Sequence, residues 1–323
     1  MDRIRVGVVG VGALGQHHAR VYASLPGAIL TGVADIAPGR AEEIAASFST
    51  RAFKNYADLF GKVDAVSIAT PTTLHAEIGE QFLNRGVHVL VEKPIAHTLE
   101  DADRLIHAAR TNERILQVGH LERFNPAVIQ LREIVRKPRF FEAHRMGLFS
   151  PRSLDIDVIL DLMIHDLDII CLLAQSPVAS VSAVGIAILT DRIDIANARV
   201  HFEDGCVANI TASRVSMEKV RKLRLFQQRQ YLSLDYTRQD ISVFSLNSRT
   251  GGMPEILSSK LTPGKKEPLQ MELQAFLEAV RQMGKAECSG EEGRKALDLA
   301  LQILAQAEKA QALEIDRNKP AFL

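Results

Sequence analysis

Short apolar runs alternate with helical patterns over the first part of the chain, up to residue 120. The runs are continuous and rich in Val, Ile and Ala, whereas the stretches between them space apolar residues three or four positions apart. A strand covered on both faces reads as such a run, so the alternation predicts parallel strands separated by helices. The predicted strands are residues 4–9, 29–34, 65–69, 87–91 and 115–118, and the predicted helices 12–25, 40–48, 73–85 and 99–112.

The pattern changes after Gly119, where strand-like runs begin to follow one another directly. The first part is therefore predicted to be a doubly wound α/β Rossmann sheet, and the second an α+β domain with a large, mainly antiparallel, meander-like open sheet. We expect two domains, residues 1–120 and residues 121–323. The later predicted strands are 140–146, 178–189, 193–202, 207–214, 222–227 and 231–234, and the later helices 127–135, 157–173, 269–283 and 291–314.

Composition narrows the classes of protein that fit this plan. The 323 residues include 39 Lys plus Arg and 39 Asp plus Glu, so the clustered basic excess of a nucleic-acid-binding protein is not expected. No apolar run reaches the ~20 residues of a membrane span, so no membrane association is expected. The three cysteines are widely spaced, which predicts reduced thiols in the cytoplasm and neither a disulfide framework nor a metal site.

A glycine motif follows the first predicted strand and opens the first predicted helix. Its sequence is Gly10-Val-Gly12-Ala13-Leu14-Gly15. The first glycine permits a tight turn, the second lets the backbone approach a pyrophosphate, and the third lets the helix pack closely on the sheet. The helix N-terminus offers N–H groups and the positive end of its dipole to phosphates. The motif predicts a dinucleotide-binding unit, with a glycine turn for another ligand as the alternative.

An acidic residue at the end of the second strand indicates which dinucleotide is bound. Asp35 lies twenty positions after Gly15. Its carboxylate is placed to accept hydrogen bonds from an adenosine ribose diol and would repel a 2′-phosphate, so NAD is favoured over NADP. Ile36 is expected beside the same part of the cofactor. Arg40 is close enough in sequence to weaken the preference for NAD.

Two later strands end in residues suited to the rest of the cofactor. In open α/β sheets, ligands sit beyond the carboxyl ends of the strands. Lys93 comes two residues after the predicted strand 87–91, so its ammonium is expected where the cofactor and substrate meet, polarising an alcohol oxygen. For the Lys-Pro pair alone, a solvated loop is the alternative. The residues expected along the cofactor are Thr70, Pro71, Thr72, His75, Glu92 and Lys93.

A polar stripe interrupts the apolar helix predicted over residues 157–173. Asp161, His165 and Asp168 are three or four residues apart and therefore share one face of a regular helix. Such a stripe needs partners or a cavity. A neutral His165 could accept a proton from a sugar hydroxyl, with Asp168 fixing its orientation. A hydrogen-bonded core histidine with a helix-surface aspartate is the alternative.

Taken together, the motifs resemble the Gfo/Idh/MocA oxidoreductase family over essentially the whole chain. The resemblance implies NAD(P)-dependent oxidation of a CH–OH group. It also implies that Lys93, Asp161 and His165 are catalytic, because inositol dehydrogenase-like members place their catalytic Asp and His at the positions of the last two. The motifs are Gly10-x-Gly12-x-x-Gly15, Ala69-Thr70-Pro71-x-x-x-His75, Glu92-Lys93-Pro94, Gly119-His120-x-x-Arg123-Phe124-Asn125-Pro126 and Asp161-x-x-x-His165-x-x-Asp168.

Within the family, residues 119–126 and 161–168 look most like members that oxidise the 3-hydroxyl of UDP-N-acetylglucosamine. Such members supply a 3-keto sugar to an aminotransferase for the diamino-sugar of lipid A. Arg123, Arg145 and Arg152 are candidate contacts for a nucleotide-sugar diphosphate, because a guanidinium pairs with phosphate bidentately; solvated surface arginines are the alternative for Arg145 and Arg152. Arg123 is also expected at the cofactor. The expected substrate contacts are Lys93, Arg123, Phe124, Asn125, Arg152, Asp161 and His165.

Two other functions stay open at this point. One is a dehydrogenase of a free sugar or an inositol-type polyol with the same mechanism. The other is a non-catalytic NAD(P)-sensing regulator, which would have no need of Lys93, Asp161 and His165. Family members commonly pair through the open sheet, so a homodimer or homotetramer is expected.

Overall fold

The computed structural model describes residues 3–149, 156–247 and 255–317, with side chains described up to residue 311. The strands are β1 (Ile4–Val9), β2 (Ala28–Ala34), β3 (Arg51–Phe53), β4 (Ala65–Ile68), β5 (His88–Glu92), β6 (Leu116–Gly119), β7 (Pro138–Met146), β8 (Val178–Ile186), β9 (Ile195–Phe202), β10 (Val207–Ser213), β11 (Val220–Gln227), β12 (Gln230–Asp235), β13 (Asp240–Asn247) and β14 (Glu255–Leu261). The α-helices are α1 (Gly15–Ser24), α2 (Arg40–Phe48), α3 (His75–Leu83), α4 (Leu99–Thr111), α5 (Pro126–Ile134), α6 (Ile164–Ala174), α7 (Pro268–Gln282) and α8 (Gly290–Arg317).

The first of two compact units carries a six-stranded parallel sheet in the order β3-β2-β1-β4-β5-β6. β1 pairs with both β2 and β4, so the strand order reverses beside β1, and this is where an open α/β sheet binds its ligand. The predicted Rossmann sheet is confirmed. β3 was not predicted, because a three-residue edge strand is too short to show a period.

The first unit comprises Met1–Phe124 together with Lys266–Leu297, so its chain is not continuous. Leu273, Phe276 and Leu277 of α7 belong to the same buried cluster as Val21 and Tyr22 of α1. The apolar face of α7 is covered there, which explains why the chain returns to this unit. The predicted roles of residues 1–120 and 121–323 remain predictions, while the compact units themselves divide the chain differently.

The second unit, Asn125–Lys265 with Asp298–Leu323, carries an eight-stranded sheet in the order β14-β13-β12-β11-β7-β10-β9-β8. The prediction of a mainly antiparallel open sheet is confirmed. The meander, however, is broken at the centre, where β7 inserts between β11 and β10 and pairs with β10 in parallel. β13 and β14 were not predicted, and β14 is exposed along nearly its whole length, so it lacks the alternation that marks a half-buried strand.

The helix predicted over residues 157–173 begins with an irregular turn. Ile159–Met163 form a π-helical turn, and regular α-helix starts only at Ile164. The wider turn changes the spacing, so the rule that residues four apart share a face does not carry across from Asp161 to His165. Within the described part of the chain, no helix is both long and apolar enough to span a bilayer.

Candidate functional site

Two glycines of the motif are required by close packing in the first unit. Gly10 has a φ of +78°, and a Cβ there would lie 2.7 Å from the carbonyl oxygen of Ala69. A Cβ at Gly15 would lie 1.8 Å from the carbonyl oxygen of Gly10. Any side chain would therefore push β1, the turn and α1 apart. These two positions allow the turn to pack against Ala69, directly after β4.

Gly12 is different, because nothing lies within 4 Å of where its Cβ would be. The space beside it is open, which is what the close approach of a pyrophosphate needs. α1 starts at Gly15 without a side-chain cap and without an acidic residue in its first turn. The helix end thus keeps a positive dipole for an anion, with Ala13 and Leu14 exposed beside it. The glycine turn fits a dinucleotide phosphate.

Asp35 lies directly after β2 and is fixed against the glycine turn. Its Oδ2 accepts a hydrogen bond from the backbone N–H of Val11 at 2.8 Å, and its Oδ1 accepts one from Ala37 at 2.9 Å. Arg40 reaches the same turn from α2, donating from Nε to the carbonyl oxygen of Val11 at 2.8 Å. The Arg40 guanidinium also contacts Glu43 and Gln16. The carboxylate and the cation that the sequence predicts to bear on the choice between NAD and NADP therefore both contact the backbone of Val11.

A cavity of about 230 Å³ adjoins this turn in the first unit. Gly10, Gly12, Asp35, Ile36, Thr70 and Pro71, all predicted at the cofactor, line it. Lys54 and Tyr56 line it too and were missed, because they follow the unpredicted strand β3. Leu74 and Ile78 also line it. The cavity combines apolar walls with a few polar groups, as a small-molecule site does.

His75 contacts both of the backbone segments that follow β4 and β5. Its Nε2 lies 3.0 Å from the carbonyl oxygen of Thr70, and its Nδ1 lies 3.0 Å from that of Pro94. Burial lowers the pKa of His75, which favours the neutral ring. A neutral imidazole donates from one nitrogen only, so one of the two carbonyls receives a full hydrogen bond. His75 thus lies between the two loops, buried, with both ring nitrogens turned to backbone oxygens.

Glu92 ends β5 with its carboxylate buried. Its Oε1 lies 3.0 Å from Nε2 of His18 in α1, and its Oε2 accepts a hydrogen bond from the backbone N–H of Lys93 at 3.2 Å. Burial opposes ionisation, but His18 and the charge of Lys93 hold the pKa of Glu92 below its usual value. The sequence pattern gave no signal for His18, since a lone histidine in a helix is usually a core residue. Lys93 itself is half-buried and precedes Pro94 through a cis peptide bond.

In the second unit, Asp161 and His165 are half-buried and Asp168 is buried. Asp161 lies in the π-helical turn and the other two in the first turns of α6. Arg145 lies in β7 and is buried in an ion pair with Asp166, through Nε–Oδ2 at 2.6 Å and Nη2–Oδ1 at 3.2 Å. Arg145 therefore uses this edge of its guanidinium to bind Asp166 bidentately, within the second unit.

The predicted segment around residue 123 is buried. Arg123 donates to the carbonyl oxygen of Glu287 at 2.9 Å and pairs with Glu292 at 3.2 Å, all within the first unit. Asn125 begins the second unit, where its Oδ1 caps α5 and its Nδ2 donates to the carbonyl oxygen of Tyr236 at 3.0 Å. Phe124 is buried as well. Arg152 lies outside the described residues.

Comparison with known protein families matches both parts of the chain. Residues 4–120 match a family model described as an oxidoreductase family with an NAD-binding Rossmann fold. Residues 137–232 match a model described as the GFO/IDH/MocA C-terminal domain. The predicted enzyme class and the predicted cofactor, NAD, are confirmed.

Individual relatives agree with these matches. The chain is 41% identical over 310 residues to UDP-N-acetylglucosamine 3-dehydrogenase of Acidithiobacillus ferrooxidans, covering 95% of this chain and 98% of that protein. It is 30% identical over 234 residues to scyllo-inositol 2-dehydrogenase (NAD(+)) of Bacillus subtilis, covering 66% and 68%.

Solved structures show the same fold. The Acidithiobacillus ferrooxidans enzyme has a TM-score of 0.90 at 40% identity, covering 96% of this chain and 99% of that one. A levoglucosan dehydrogenase in complex with NADH and levoglucosan has a TM-score of 0.85 at 20% identity, covering 95% and 98%.

Proposed function

Because this chain belongs to the Gfo/Idh/MocA oxidoreductase family, we propose that it oxidises the 3-hydroxyl of UDP-N-acetylglucosamine to the 3-keto sugar with NAD. The proposed substrate depends on one observation, the 41% identity to a UDP-N-acetylglucosamine 3-dehydrogenase over 95% of this chain. The inositol dehydrogenase relative is less similar and covers 66% of the chain. The keto product has the chemistry that an aminotransferase requires, in keeping with a place in the lipid A diamino-sugar pathway.

The proposed reaction depends on the side chains of Lys93, Asp161 and His165. NAD, when bound, supplies the hydride-accepting ring, and the protein supplies orientation and proton handling. His165 accepts the proton of the sugar hydroxyl, while Lys93 and Asp161 hold and polarise that oxygen. The family motifs at these positions support the assignment. Asp161 also lies in a π-helical turn, a feature that recurs at functional sites.

The remaining proposed contacts fall into two groups. The glycine turn, Asp35, Ile36 and Arg40 bind the adenosine and pyrophosphate part of NAD, supported by the open space at Gly12 and the adjoining cavity. Along the rest of the cofactor we place Thr70, Pro71, Thr72, His75, Glu92, Lys93 and Arg123, and near the substrate Arg123, Phe124, Asn125 and Arg152. Because His75, Glu92, Arg123 and Asn125 are turned to protein groups, they act by holding the loops that make contact.

A substrate panel tests the proposal directly. Purified protein is mixed with NAD and, separately, UDP-N-acetylglucosamine, UDP-glucose, N-acetylglucosamine and scyllo-inositol, and NADH absorbance is followed. A carbonyl-trapping reagent in parallel reactions removes a keto product that would otherwise hold the equilibrium back. We expect NADH only with UDP-N-acetylglucosamine. Reduction of NAD with scyllo-inositol alone would support a polyol dehydrogenase. Tight NAD binding without any reduction would support a non-catalytic NAD(P)-sensing regulator.

We also propose that the protein assembles as a homodimer or homotetramer through the open face of its eight-stranded sheet. Four aromatic residues form a row there, with ring centroids 5.7, 4.9 and 5.5 Å apart in sequence along the row. Phe226 and Phe244 are partly exposed, and covering such a surface removes apolar area from water. The row consists of Phe140, Phe226, Tyr231 and Phe244.

The proposed location is the cytoplasm. Cys171, Cys206 and Cys288 are present as reduced thiols, and Cys206 and Cys288 are buried. Reduced thiols of this kind suit a reducing compartment.

A further inference from the structure

Glu272 is a carboxyl buried in the core of the first unit. It lies in the second turn of α7 and is fully buried. Neither of its carboxyl oxygens has a hydrogen-bond partner among the described residues. A carboxylate in such a place would cost several kcal/mol, so the group is neutral unless a cation pairs with it.

The charged neighbours of Glu272 do not supply that cation. Glu92 of β5 is the charge acting on it, and burial and then Glu92 raise the pKa of Glu272 well above its usual value. Tyr22 of α1 is near enough for Glu272 to raise its pKa, though burial is the larger cause. On β6, Gln117 donates its amide to the backbone oxygen of Glu272 at 3.4 Å. Arg123, in the segment packed on α7, is turned to Glu287 and Glu292.

Among the described residues, the cationic groups near this pair act on Glu92 and not on Glu272. His18 contacts Glu92 at 3.0 Å, and Glu92 in turn accepts the backbone N–H of Lys93. Burial and a like charge nearby both disfavour the ionised form of a carboxyl, so the two glutamates do not both ionise. Glu92 is the ionised member, because it holds both His18 and the Lys93 N–H, and Glu272 is the neutral one. If Glu272 ionised, it would repel Glu92, and the strand end that precedes Lys93 would lose its anchor.

We propose that Glu272 is a positioning residue for Lys93, and that its neutral carboxylic acid keeps the Glu92–His18 pair, and with it the end of β5, in place. This inference rests on the proposed function only where it refers to the catalytic role of Lys93. The neutral state of Glu272 is a property of the folded protein and is tested without substrate.

The first test measures the melting temperature of the full-length protein between pH 5 and pH 9. The folded pKa of Glu272 is above the unfolded value of 4.5, so its stabilising contribution is complete below that value and is lost as pH rises toward the folded pKa. Glu272→Gln removes this titration and keeps the shape. As pH rises, we expect the melting temperature of Glu272→Gln to increase relative to that of the wild type by roughly 2–4 °C per pH unit. The control, Glu278→Gln, makes the same change on the exposed face of α7 and should run parallel to the wild type.

The second test separates positioning from simple core packing. Glu272→Ala should lower kcat at least tenfold while the Kd for NADH, measured by fluorescence without substrate, stays within threefold. Glu272→Gln should rescue most of that kcat. Parallel melting curves for Glu272→Gln and the wild type would overturn the neutral state. A Glu272→Gln enzyme as slow as Glu272→Ala, or a Glu272→Ala enzyme with normal kcat, would overturn the positioning role. Failure of the wild type to oxidise UDP-N-acetylglucosamine is a separate result that counts against the proposed function, and kcat is then compared on whichever panel substrate is oxidised.

Discussion

Asp35 shows how one residue can be fixed by its neighbours before any ligand arrives. Its two carboxylate oxygens accept the N–H groups of Val11 and Ala37, so the side chain cannot turn away from the glycine turn. Arg40 reaches the same segment from α2. The sequence predicted both residues at the cofactor, because their distances from the glycine motif are set locally by one strand and one turn.

Replacing Asp35 with Asn should shift the cofactor preference toward NADP. The change keeps the side-chain shape and one acceptor oxygen but removes the negative charge that we propose repels a 2′-phosphate. With Arg40 left beside the site, we expect the ratio of kcat/KM for NADP to that for NAD to rise about tenfold, or ~1.4 kcal/mol. Steady-state kinetics with both cofactors measure it, and Glu42→Gln on the exposed side of α2 is the control. An unchanged ratio would show that Asp35 does not discriminate between the adenosine ribose of NAD and that of NADP.

Replacing Lys93 with Met should remove turnover while leaving NAD binding mostly intact. The change keeps the length of the side chain and removes the ammonium that we propose polarises the reacting oxygen, which is expected to lower kcat by about 10²–10⁴-fold. Kd for NADH is measured by fluorescence and kcat by absorbance. Lys285→Met, at an exposed position, serves as the control. Full activity in the Lys93 variant would remove Lys93 from the catalytic set.

At the scale of elements, the parallel strands and their helices follow from local pattern, but the links between strand ends do not. His75, His18 and His88 each join segments distant in sequence. His88 begins β5, and its Nδ1 accepts a hydrogen bond from the backbone N–H of Ile115 at 2.9 Å. Only a neutral ring has that acceptor.

The His88 contact predicts a loss of stability in mild acid. Burial, followed by the charge of Arg114, lowers the pKa of His88 from 6.5 to about 4. The unfolded chain therefore binds the proton first, so this contribution is present above pH 6.5 and is lost as pH falls toward 4. His88→Asn keeps an acceptor and removes the titration. We expect its melting temperature to fall less than that of the wild type across this window, by about 3 °C or more.

His107→Asn provides the matched control, because His107 is exposed on α4. Its melting temperature should follow the wild type at every pH. If His88→Asn also follows the wild type, the ring of His88 is already protonated or free to rearrange, and the contact with Ile115 does not control acid stability.

At the scale of the whole molecule, the open sheet bears the proposed interface between copies. Sedimentation velocity at micromolar concentration should show a dimer or tetramer. The double change Phe226→Ser and Phe244→Ser removes two partly exposed rings of the aromatic row and should shift the protein toward monomer. Met283→Ser, an exposed apolar residue at the end of α7, should leave the mass unchanged. A wild-type monomer would contradict the proposed assembly.

The sequence by itself determined the parallel sheet, the glycine turn, the position of Asp35 and the order of the motifs. These features depend on short-range rules, since strand period, turn sterics and helix dipoles act over a few residues. The motifs were also sufficient to predict the oxidoreductase family, which the family models confirm.

Only the tertiary structure decided the rest. The insertion of β7 beside β10, the return of α7 to the first core and the π-helical turn at Asp161 depend on packing between distant segments. The interaction between Glu92 and Glu272 also depends on packing between distant segments, because the two residues are 180 positions apart in the sequence. Burial and the proximity of distant charges fix their protonation, and a one-dimensional pattern contains neither quantity.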